Sequence, residues 1–118
     1  MDIALRVLLW LIAALHLWFM VLEMFLWRTP LGLKTFRMSR EKADSSAVLA
    51  ANQGLYNGFL AAGLIWGIFL VSGAFYVRLF FLSCVAMAGI FGAATVSKRI
   101  FFIQALPAMV ALAILFLK

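Results

Sequence analysis

Apolar side chains fill long stretches of this chain, and polar ones gather in the short breaks between them. Four stretches stand out, at residues 3–27, 47–71, 75–96 and 100–117. A helix rises about 1.5 Å per residue and a bilayer's hydrocarbon core is about 30 Å thick, so roughly 20 apolar residues cross it. None of the stretches alternates with the period of two of a barrel strand, and lipid admits only helices or closed barrels. The pattern predicts an all-α fold, an integral membrane four-helix bundle, as one four-span domain over residues 1–118.

The breaks differ in character. Residues 28–46 form a polar loop with Thr29-Pro30, Gly32 and seven charged side chains. Pro30 is expected to end the first helix. Ser39 is placed to cap a short interfacial helix with Glu41 in its first turn. Spans two and three meet tightly at Ser72-Gly73, and spans three and four at Ser97-Lys98-Arg99. Glycines recur as Gly54-x-x-x-Gly58 and Gly63-x-x-x-Gly67 in span two, and as Gly89 and Gly92 in span three. Such small faces let helix backbones approach closely in lipid.

Composition fits a lipid solvent. Of 118 residues, 68% are hydrophobic and 12% charged, against about 25% charged in soluble domains. A soluble fold of this length has too little interior to hide that excess. The net charge of +6 does not point to nucleic acid, because the cations sit at the ends of apolar runs, where they meet headgroups and set topology. Arg28, Lys34, Arg37, Arg40, Lys42, Lys98 and Arg99 fall on one side; Arg6, Arg78 and Lys118 fall on the other. The bias places the long loop in the cytoplasm and both termini on the non-cytoplasmic side of a cell (inner) membrane. The first stretch is too long for a signal-peptide core. Cys84 is alone in an apolar run, with no neighbour for a disulfide or a metal.

The exceptions within the spans carry the candidate chemistry, because an ionisable group in lipid is costly. They are His16 and Glu23 in span one, Asn52, Gln53, Tyr56 and Asn57 in span two, and Thr95 and Gln104 near the inner ends of the last two. His16, Met20 and Glu23 follow one helical stripe, and Asn52/Tyr56 and Gln53/Asn57 are pairs four apart. Glu23 falls roughly 6–8 Å from the cytoplasmic end, at the depth of Asn52 and Gln53. These depths predict a crevice with a polar cytoplasmic mouth and an apolar floor. Glu23, His16 and Tyr56 are its candidate catalytic groups. Asn52, Gln53, Asn57, Gln104 and Arg99 are its candidate substrate-binding groups. The same polar residues also fit interhelical hydrogen bonding alone, and Glu23 also fits a structural pairing with Arg99 or Lys98.

Leu22-Glu23-Met24-Phe25-Leu26-Trp27 followed by Thr29-Pro30, and the long run from Leu49 through Asn52-Gln53-Gly54-Leu55-Tyr56-Asn57-Gly58 to Gly63, resemble a small membrane family known as domain of unknown function 1304. The resemblance covers nearly the whole chain and implies a bacterial-type four-span protein, without an activity. A looser architectural likeness is to the MAPEG membrane enzymes and styrene oxide isomerase. Those have four short spans and a long first cytoplasmic loop. They are trimers acting on epoxides, eicosanoids or glutathione conjugates. That likeness implies a homo-oligomer, trimer or dimer, and a small hydrophobic ligand. The isomerase type holds haem through a histidine. Here span two has no histidine and its motif no arginine, so haem would need His16, on span one. The cofactor is left open. Three functions fit: an intramembrane enzyme or binding protein of isomerase or epoxide-opening type, a proton-coupled small-molecule transporter, and an accessory subunit of a membrane complex.

Overall fold

The computed structural model describes residues 1–117; Lys118, which enters the charge count above, lies outside them. The fold is all-α, and no strand occurs among the described residues. Helix α1 spans Ile3–Met24, α2 Pro30–Phe36, α3 Arg40–Phe69 and α4 Ala74–Thr95. Helix α5, Phe101–Leu117, opens with a π-helical turn over Phe101–Ala105. Helices α1 and α4 are long and apolar enough to cross a membrane, and α5 is a shorter apolar helix. Helix α3 has the length, but its amides and glycines dilute its apolar character.

Three boundaries differ from the sequence reading. Helix α1 closes at Met24, where the N–H groups of Phe25 and Leu26 both donate to the Val21 carbonyl. Pro30 does not end α1 but starts α2, at the first helical position, where its missing N–H costs nothing. Ser39 Oγ accepts the Lys42 N–H at 3.1 Å, as a cap should, yet the helix it starts is not short. It continues for 30 residues, because no proline interrupts residues 40–69 and the junction is rich in alanine. The loop expected at residues 28–46 is therefore mostly helical.

The chain divides into two compact units, one of Met1–Ala14 with the chain from Leu60 onward, the other of Leu15–Phe59. The first unit is dry. Leu5, Leu9, Ile12 and Ala13 of α1, on one helical stripe, join Leu64 and Ile68, Leu82, Val85 and Ala86, and Ala108, Ala111 and Leu115 in one buried cluster. Backbones meet at Gly89, where a Cβ would collide with the backbone of Ala105. The π turn has an identifiable cause in Pro107. It has no N–H to continue the ordinary ladder, and just before it the Leu106 N–H reaches back five residues to the Phe101 carbonyl.

The second unit is tied by polar contacts. The Trp27 indole Nε1 donates to Ser46 Oγ at 3.2 Å, and its ring packs on Phe36 with centroids 4.8 Å apart. Thr29 caps α2, its Oγ1 accepting the Gly32 N–H while donating to the Leu26 carbonyl at 2.7 Å. Gly32 is buried against the carbonyls of Leu26 and Trp27, which leave no room for a side chain. Helix α2 ends at Arg37, a non-glycine residue in left-handed conformation (φ 53°), from which the next N–H, that of Met38, closes back on Leu33.

Candidate functional site

The second unit brings one set of candidate residues together. Glu23 sits in the last turn of α1 and is 3% exposed. Gln53 Nε2 donates to its Oε2 at 2.6 Å, and Asn57 Nδ2 donates to its Oε1 at 2.5 Å. The two amides lie one turn apart on α3, so one face of that helix presents a donor to each carboxyl oxygen. Gly54, beside Gln53, allows the approach, because a Cβ there would press on the Met24 and Glu23 side chains and the Met20 carbonyl. The Met20 sulfur fills the space against Gly58. Asn57 is buried, whereas Gln53 is exposed although its amide is anchored. Glu23 is therefore enclosed, and Gln53 is the more exposed of its two amide partners. Amide donors, rather than a lysine or arginine, engage both of its oxygens.

The other candidates are placed differently. His16 is completely buried two turns earlier on α1, with the Phe19 ring edge-on at 5.7 Å. Tyr56 is 60% exposed and its ring tilts against Phe59. Asn52 is exposed too. The pair Asn52/Tyr56 thus occupies a different face of α3 from the pair that holds the carboxyl group. Gln104 and Arg99 belong to the other unit. Gln104 is half-buried in the π turn, and Arg99 is exposed, its N–H held by Ser97 Oγ at 3.3 Å. Haem does not suit this residue set, because the sole histidine is wholly covered by its own chain and offers no open face to a macrocycle. The Trp27–Ser46 bond went unread in the sequence, although an indole at the end of an apolar run commonly seeks a polar partner.

A carboxyl group held this way can take up or deliver a proton while two fixed dipoles preserve its orientation. It can equally hold two helices in register. The family profile described as a protein of unknown function (DUF1304) matches residues 10–116. The chain is also 32% identical over 111 residues to the uncharacterized protein YpaA of Lactococcus lactis, covering 92% of this chain and 93% of the relative. No solved structure matches, and the looser MAPEG likeness is not supported by these comparisons. The match runs through both Glu23 and the Asn52–Asn57 segment, and this chain belongs to the DUF1304 family.

Proposed function

We propose that the chain is a multi-pass protein of the cell membrane, crossing four times with both termini outside the cytoplasm. Its Glu23 centre acts on a small, mostly apolar molecule that enters from the cytoplasmic leaflet. Support comes chiefly from one observation: a 3% exposed carboxyl group in an apolar helix, with an amide on each oxygen. An ionisable group in such a place is functional by default. The chemistry that suits this inventory is isomerisation or epoxide opening, which needs only acid–base groups and hydrogen bonds. In an isomerisation, Glu23 takes a proton from carbon beside a polarised substrate oxygen and returns it at another position. Gln53, exposed beside the carboxyl group, offers that oxygen a hydrogen bond through its second amide hydrogen.

The test uses extracted membrane small molecules incubated with purified protein in deuterated water. Wild type should place solvent deuterium on carbon in one compound, and Glu23→Gln, folded by circular dichroism, should not. Equal incorporation by both proteins would sink the acid–base role. A second reading, an accessory subunit or a homo-oligomer (dimer or trimer), draws on the exposure of Asn52 and Tyr56 within an apolar helix. Purification in mild detergent separates these: a stoichiometric foreign partner favours the subunit, and a clean oligomer of this chain rules it out.

A further inference from the structure

A pocket of about 430 Å³ lies at one end of the first unit, away from Glu23 in sequence and in unit. Its wall includes Arg6 of α1, Arg78 of α4, and the apolar residues Ile68, Phe69, Val71 and Ala74. Arg78 uses its Nε–H to bond the Gly67 carbonyl at 2.7 Å, near the end of α3. That bond fixes the guanidinium and leaves both of its terminal NH₂ groups for another acceptor. Arg6 lines the same pocket, so two positive charges share it. Among the described residues that line the pocket, none is a carboxylate.

Two like charges held at one cavity are unfavourable alone and favourable around an anion. Guanidinium groups match phosphate oxygens in shape and charge. The volume falls in the range of ligand pockets, about 300–1,000 Å³, and exceeds what the charged group alone would fill. Apolar surface continues outward from it, with Val71 96% and Phe69 66% exposed. We propose that this pocket binds a phosphate group borne by an amphiphile, a phospholipid headgroup held at this end of the first unit. The site is independent of the Glu23 reading.

The experiment reconstitutes the full chain in nanodiscs of phosphatidylcholine with phosphatidylglycerol, then measures lipid retained after detergent transfer by native mass spectrometry. Wild type should retain phosphatidylglycerol, and Arg6→Gln should retain about tenfold less, the loss expected for one charge-assisted contact. Arg6→Gln leaves the Arg78–Gly67 bond in place, so it tests the site without removing a fold contact. Arg28→Gln, at an exposed cation paired with Asp44, is the control and should match wild type. A parallel arm titrates inorganic phosphate into delipidated protein and follows thermal unfolding. Phosphate stabilisation abolished by Arg6→Gln, without retained lipid, would assign the same anion site to a free phosphate compound. Indistinguishable wild type and Arg6→Gln in both arms would overturn the proposal.

Discussion

The two units hold their helices together by different means. In the first, twelve buried apolar side chains form one cluster, and Gly89 lets backbones touch at Ala105. In the second, a carboxyl group, two amides, an indole and a hydroxyl make the contacts between elements. In lipid, packing and interhelical hydrogen bonds replace the hydrophobic effect as the cause of association. On the proposed membrane reading, the dry unit answers that requirement with shape and the polar unit with bonds. The two should respond to different substitutions.

The largest effect is expected in the dry unit. Gly89→Leu drives a side chain into the Ala105 backbone, which cannot yield as a flexible side chain would. The expected loss is about 3 kcal/mol, enough to abolish the folded peak in size-exclusion chromatography. Next comes Glu23→Ala, which strands the buried Asn57 amide. It should cost about 2 kcal/mol in detergent unfolding. A double-mutant cycle sharpens the contrast: coupling of Glu23 to buried Asn57 should exceed its coupling to exposed Gln53. Equal couplings would mean that burial does not set their strength. Ser46→Ala removes the acceptor for Trp27 and should cost about 1 kcal/mol, with a shift in tryptophan emission. The smallest effect belongs to Asp44→Asn. The Arg28–Asp44 pair is 3.8 Å apart and exposed on both sides, so the change should stay within about 0.5 kcal/mol.

How much of this was legible follows from which signals are local. The helical class and the apolar stretches were legible because they depend on composition and run length. The spacing of Gln53 and Asn57 puts both amides on one face, and depth puts Glu23 level with Asn52 and Gln53, with Asn57 deeper. The choice between that pair and Asn52/Tyr56 was hidden. It depends on the rotation of α3 about its axis, and α3 has no single apolar stripe to orient it. Gly54 bears the missing information, since it marks the line along which α3 approaches Glu23 and Met24. The charges at Arg40–Ser46 suggest a loop, yet that segment contains no breaker and α3 begins at Arg40. The π turn was foreshadowed by Pro107, six residues after Phe101, but its length depends on tertiary packing around Ala105.

The bond from Glu23 to its partners also sets an order of events during synthesis. Gln53 and Asn57 lie 30 and 34 residues beyond the carboxylate. At roughly 5–20 residues per second, a ribosome makes them about 2–7 s after Glu23. On the proposed topology, α1 therefore reaches the translocon with a carboxyl group whose donors have not yet entered it. The nascent helix must wait at a watery boundary or borrow a temporary partner until α3 arrives. The clasp thus acts as a timer, making complete burial of α1 conditional on α3 being present.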